Sequence, residues 1–254
     1  MIVYQEVAPI PALRPWLDCV WTCRVRTGAT PFTHRVLPDN CIDILCQDQQ
    51  DASFAVGMMT APITVVSQGL VQTVAARFKP GAAAHFFQLP LCELNDGRTA
   101  LDQLWGRELA ARLGDALWSD PLPDAQRVAI LQDYLLRRLR AGPPLRAPGV
   151  AQHAIAAIEG AHGQVRVEGL ARRLGVSRQT LALQFRQQVG ISPKLFARIC
   201  RFRAASTGLQ GLAGAPDWAQ VALQYGYFDQ SHLIHDFQDF AHRPPDAWLA
   251  GKQG

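Results

Sequence analysis

What the sequence lacks narrows its reading first. No run of about 18 uncharged apolar residues occurs among its 254 positions, so no segment is suited to crossing a bilayer as a helix. The most apolar stretch, 58–66, is too short and contains Pro62. The first residues, Met1 to Glu6, offer neither a basic start nor an apolar core; they do not read as a secretory signal, and the expected location is the cytoplasm. Nucleotide-binding glycine loops, a G-x-S-x-G elbow and an H-E-x-x-H pair are all missing, so the chain is expected not to be an enzyme. There is no C-x-x-C pair, and the N-terminal half holds only His34 and His85. No metal centre and no cofactor is therefore expected. What is present is globular: 48% apolar and 18% charged residues exclude a mainly disordered chain and suffice for two cores.

Acidic residues are scarce in one place. Residues 164–205 carry nine Lys and Arg (Arg166, Arg172, Arg173, Arg178, Arg186, Lys194, Arg198, Arg201, Arg203) against Glu168 alone. The formal charge of the whole chain is only +4, so this concentration is a local electrostatic footprint suited to a polyanion. A solvated basic helix face is the plainer alternative.

The segment 141–149, with three prolines and two glycines, reads as a linker between a domain over 1–140 and another over 150–254. Before it, the segments 19–25, 32–37, 41–46, 53–56, 63–66 and 71–78 are β-branched or aromatic and separated by turn residues. They predict an antiparallel barrel or sandwich, so the fold class is α+β with trailing helices on the β-rich part. Ala125, Val128, Leu131, Leu135 and Leu139 form one helical stripe, which either packs on the strands or joins a second copy. Five of the six cysteines lie before residue 93. They read as small core hydrophobes, with redox or metal sensing as the sharper alternative. Trp21, Phe32 and Arg77 are candidate contacts for a small effector, although the rings suit a core better and Arg77 suits a surface position or a salt bridge to Asp39 or Asp43 better.

After the linker the sequence repeats itself. Leu170, Ala171, Leu174 and Gly175 recur 51 positions later as Val221, Ala222, Tyr225 and Gly226. Leu181, Phe185, Pro193 and Phe196 recur 52 positions later as Leu233, Phe237, Pro245 and Trp248. Each copy reads as a short helix, a left-handed glycine turn, and a second helix opened by Ser177 or Asp229. That is a helix-turn-helix, and two of them are joined by a helix starting at Ser192-Pro193. A separation of about 34 Å between the second helices would place them in successive major grooves.

Residues 150–249 resemble the DNA-binding domain of the AraC/XylS family of bacterial transcription regulators. The matching stretches are 170–181 (LARRLGVSRQTL), 185–196 (FRQQVGISPKLF) and 226–237 (GYFDQSHLIHDF). Residues 1–140 resemble the barrel-like N-terminal domain of one branch of the family through Leu37-Pro38-Asp39, Arg77-Phe78-x-Pro80-Gly81 and Leu104-Trp105-Gly106. The resemblance implies a sequence-specific DNA-binding transcription regulator responding to a small effector. Its implied partners are double-stranded DNA, RNA polymerase and a second copy, with no membrane. By position it implies a reading surface of Gln179, Thr180, Ala182 and Leu183, then Gln230, Ser231, His232 and His235, with Arg178 and Arg186 on phosphates. Three features depart from the family pattern. Ala182 and Leu183 can touch a thymine methyl but cannot hydrogen-bond a base. His242 stands where the family has a turn glycine. Residues 212–249 carry Asp217, Asp229, Asp236, Asp239 and Asp246 against Arg243 alone. The acidic run and the Ala182-Leu183 pair are the features that support an alternative from another class, a protein that binds a ligand or senses redox state and uses its helical domain mainly for protein interaction.

Overall fold

The computed structural model describes residues 2–28, 30–49, 53–142, 148–211 and 216–250. The alternating pattern of the first eighty residues produces β2 (Leu17–Arg26), β3 (Phe32–Val36), β4 (Ile42–Gln47), β5 (Ser53–Val56), β6 (Ile63–Ser67) and β7 (Leu70–Phe78). Two strands join them that the sequence reading does not predict, β1 (Ile2–Val7) and β8 (Arg98–Ala100). The strands pair antiparallel in a six-stranded sheet, β1-β2-β7-β4-β5-β8, and a separate pair, β3-β6. The β-rich N-terminal domain is as expected, but of the barrel and sandwich left open the closed barrel is not formed among the described residues. β8 runs directly into a helix at Leu101, and β1 and β8 are the two edges of the sheet.

Register assigns the two faces. Val20 and Ile44 both pair with Ala76, and Cys46 pairs with Val74. These residues lie on the same face as Phe78 and are all fully buried, each of the larger ones contributing about 1.5–3 kcal/mol of hydrophobic free energy. Three helices follow, α1 (Leu101–Trp105), α2 (Arg107–Trp118) and α3 (Asp124–Ala141). α3 packs on β7 and β2 with Val128, Leu131 and Leu135 buried, and Asp124 pairs with Arg24 at 2.7 Å. Of the two uses open to this stripe, packing on the sheet is the one observed.

The opposite face holds charge. Cys19 and Asp43 flank Arg77 in register, and the Arg77 guanidinium lies 3.2 Å from Asp43 and 3.7 Å from Asp39. Burial pushes the Asp43 carboxyl up to about 6, while Arg77 pulls it the other way. Trp21 shares this face, pairing with Ala75. Phe32 belongs to the other sheet, where its ring stacks on His34 at 5.5 Å.

The C-terminal half contributes α4 (Val150–Gly160), α5 (Val167–Arg173), α6 (Arg178–Val189), α7 (Pro193–Gly208), α8 (Trp218–Gln224), α9 (Gln230–Ala241) and α10 (Pro245–Ala250). Most of the expected linker, 143–147, lies outside the described residues. The halves are packed together, and their buried side chains form one hydrophobic cluster. Polar contacts pin the join. Asn95 Nδ2 donates to the Gly190 carbonyl at 2.7 Å, Asn40 Nδ2 to the Phe196 carbonyl at 3.1 Å, Arg35 to the Ala241 carbonyl at 2.8 Å, and Arg203 to the Asp39 carbonyl at 2.7 Å. Gly190, at φ 112°, has no room for a Cβ beside Asn95.

All six cysteines are free thiols. Burial pushes Cys46 up to about 12, Cys19 and Cys200 up to about 11, and raises Cys23 and Cys41 as well. Because the thiolate is the reactive form, the core reading of these residues gains over the sensing one. Native alkylation with iodoacetamide at neutral pH is expected to label exposed Cys92 at least tenfold faster than Cys19, Cys46 or Cys200. Peptide mass spectrometry reads this, and rapid labelling of Cys19 would restore the sensing alternative.

Candidate nucleic-acid interface

The repeat of the sequence is a repeat of geometry. α5 ends with Gly175 N–H donating to Arg172 O and Val176 N–H to Ala171 O, both at 3.1 Å. α8 ends with the same pair, Gly226 to Leu223 at 3.1 Å and Tyr227 to Ala222 at 2.9 Å. Gly175 and Gly226 take φ of 68° and 75°, the left-handed conformation that this helix ending requires. The next helix opens on a side-chain cap in each unit, Ser177 accepting from Thr180 N–H and Asp229 from His232 N–H. Each cap satisfies an amide that the helix itself cannot. Phe185 then packs edge-on against Phe196 at 5.3 Å, and Phe237 against Trp248 at 6.4 Å. Leu181 and Leu233 are fully buried beneath them. These are two helix-turn-helix units with α6 and α9 as their second helices. His242, at φ 51°, does take the left-handed position expected of a glycine, at a cost of about 1–2 kcal/mol.

The proposed contact residues fall on the outer surfaces of these two helices. Arg178, Gln179, Thr180, Leu183 and Arg186 on α6 are exposed, with Ala182 half-buried. Gln230, Ser231 and His235 on α9 are exposed, with His232 half-buried. A cleft of about 840 Å³ runs between the helices, lined by Arg178, Gln179 and Ala182 on one side and His232 and His235 on the other. Its floor is α7, which contributes Lys194, Arg198 and Arg201. The structure brings five of the ten expected residues into one cleft; the other five are not among its lining. Thr180 is partly committed, its hydroxyl 2.9 Å from that of Ser177. Arg178 pairs with Glu168 at 2.9 Å in solvent, a contact of less than about 1 kcal/mol that a phosphate can displace. The cleft cations of α7 were hidden in the basic run 164–205, where spacing alone gives no reason to single them out.

The acidic second unit has a local explanation. Asp217 and Asp229 are helix caps. Asp236 is fully buried and accepts from Arg198 Nη2 at 2.7 Å and Nε at 3.0 Å, with Arg201 3.5 Å from its other oxygen. Asp239 pairs with the same Arg198 at 2.6 Å, and His235 Nδ1 lies 3.4 Å from Asp239. The guanidinium groups of Arg198 and Arg201 also cover the rings of Phe240 and Tyr227. Ligand atoms of His235, Asp236 and Asp239 lie within 4.8 Å of one another, but Arg198 already occupies the place a cation would take. Four of the five acids in this unit are therefore spent on caps or ion pairs instead of facing solvent unmatched. Arg198→Ala should leave Asp236 with a distant partner and destabilise the chain by about 3 kcal/mol; chemical denaturation checks this, and an unchanged midpoint would refute it.

Residues 170–251 match the family described as a helix-turn-helix domain, and residues 5–100 match a domain of unknown function (DUF6597). No curated protein matches the chain. Among solved structures it is similar to the C-terminal domain of AraT, a response regulator from Geobacillus stearothermophilus, at 21% identity, covering 42% of this chain and 88% of that one with a TM-score of 0.38. It is also similar to ToxT from Vibrio cholerae, at 10% identity over 97% of this chain and 98% of that one, with a TM-score of 0.47. No helix of the described residues is long and apolar enough to cross a membrane. With two capped helix-turn-helix units inside the matched stretch, residues 170–251 are a helix-turn-helix domain of the AraC type.

Proposed function

We propose that the chain holds duplex DNA across the α6–α9 cleft and that its N-terminal domain controls this grip. The observation that carries the reading is the shared cleft: side chains of both second helices border one groove floored by Lys194, Arg198 and Arg201. Lys194 is exposed and suits a backbone phosphate, whereas Arg198 and Arg201 are engaged with Asp236 and shape the floor. Arg186 faces outward from α6 and Gln230 stands at the start of α9. In this division of labour Arg186 contacts phosphate and Gln230 pairs with adenine, since an amide can bond that base bidentately. His235, beside Asp239 and Arg198, contributes to the phosphate side of the cleft. Such a reader works in the cytoplasm, where bacterial DNA is accessible.

Control runs through the turn after β3. Arg77 holds Asp39 from the charged face of the sheet, the Asp39 carbonyl holds Arg203 of α7, and Asn40, at φ 63° and buried, reaches Phe196 and Cys200. A small anionic effector that draws Arg77 away from Asp39 and Asp43 would pull on the turn that grips the connector helix. Trp21, on the same face, would meet that effector; Phe32 is not on that sheet.

Titration of a labelled duplex with the full chain across salt concentrations tests the reading. Arg186→Ala should lower the slope of log K against log salt by about one and weaken all sequences alike. Gln230→Ala should cost roughly 1–3 kcal/mol on the preferred site and relax choice at one or two positions. No measurable affinity at low salt would sink the proposal. For the control arm, Asn40→Gly keeps the positive φ and removes the amide. It should change affinity for the preferred duplex at least threefold, because an anchor of α7 is lost; identical affinity would sever the turn from DNA binding.

A further inference from the structure

The centre of the outward face of α6 is a leucine. Leu181 and Phe185 point into the core, and Leu183 lies two residues from each, about 160° away around the helix axis at about 100° per residue. Its side chain is 60% exposed. Gln179, Thr180, Arg186 and Gln187 lie within about 60° of its direction, all exposed, so the leucine is an apolar point framed by polar side chains. The position 52 residues later, at the matching place on α9, is His235. The two second helices thus present different chemistry where each points most directly outward.

We propose that Leu183 selects thymine through its C5 methyl group. The inference rests on the proposal that α6 faces the bases. A leucine can neither donate nor accept a hydrogen bond, and the thymine methyl is the apolar group that base edges display in the major groove. Facing a cytosine amine or a guanine carbonyl instead, the side chain would strip water from a polar group and return nothing. Gln179, about 40° from Leu183 on the same surface, is free to hydrogen-bond the neighbouring pair.

The experiment uses the full chain. A preferred duplex is first selected from a random pool, and each thymine of that duplex is then replaced singly by deoxyuridine, which removes only the methyl. Fluorescence anisotropy should show one or two replacements weakening the parent protein roughly fourfold, the loss expected for one buried carbon. Leu183→Ala should bind the thymine and uracil duplexes within a factor of 1.5 of each other at those positions. Leu183→Gln, reselected, should exchange thymine for adenine there. Both variants should keep the parent melting temperature, because the side chain is exposed. Tight binding that is indifferent to every uracil would overturn the thymine assignment alone. So would Leu183→Ala retaining the parent's sensitivity, which would place the methyl under another residue. A chain that selects no sequence overturns the DNA reading and this inference with it.

Discussion

The arrangement of the C-terminal half depends on one carboxylate. Asp236 is wholly buried, and a lone buried charge is costly enough that the surroundings must answer it. Arg198 and Arg201, one turn apart on α7, do so, and each also lies across an aromatic ring of the second unit. The ion pair therefore fixes α9 relative to the helix that connects the units. Apolar residues of matching size would also hold them together. The charged version adds direction, because a guanidinium must be met at particular angles to be satisfied.

A second constraint comes from outside the helical half. Beside the shared hydrophobic cluster, the N-terminal domain sends side-chain donors onto main-chain carbonyls of the helical half: Asn95 on Gly190, Asn40 on Phe196, Arg35 on Ala241. Those carbonyls belong to the residue after α6, the first turn of α7 and the last residue of α9. All three helices that define the cleft are thus held near their ends: Gly190 and Ala241 offer carbonyls left open at helix C-termini, whereas the Phe196 carbonyl lies in the first turn of α7 and accepts Asn40 as an additional donor. Such contacts are individually modest, about 0.5–1.5 kcal/mol net, and they give direction to an interface whose bulk is the shared hydrophobic cluster.

Much of this was legible beforehand, for identifiable reasons. β2 through β7 carry alternating or continuous β-branched residues between turn signals. β1 is missed because nearly all its side chains are exposed, so no inward face marks it, and β8 has only three residues. The helix-turn-helix units were visible because glycine turns and caps are local rules, written within a dozen positions. The Arg198–Asp236 pair spans 38 positions and the Asn40–Phe196 contact 156; nothing in either neighbourhood announces the other. The acidic run of the second unit accordingly reads in sequence as unmatched charge, although most of those acids are caps or ion-pair partners in space. The spacing of the strands likewise leaves barrel and sandwich open, because it says nothing of whether the last strand returns to the first.

The units repeat along one chain but are not copies. Where the first has Val176 before its cap, the second has Tyr227 and Phe228, one residue longer, with Phe228 86% exposed. Readers built as symmetric pairs of identical chains see the same sequence from either side, and their sites are palindromes. Two unlike units carried head to tail have no such axis. In the proposed complex, duplex held across the cleft would have a distinct first and second end, so a single molecule would face one way along it. Orientation relative to a start of transcription would then be written into the site itself, and inverting that site would reverse which face the chain turns toward it.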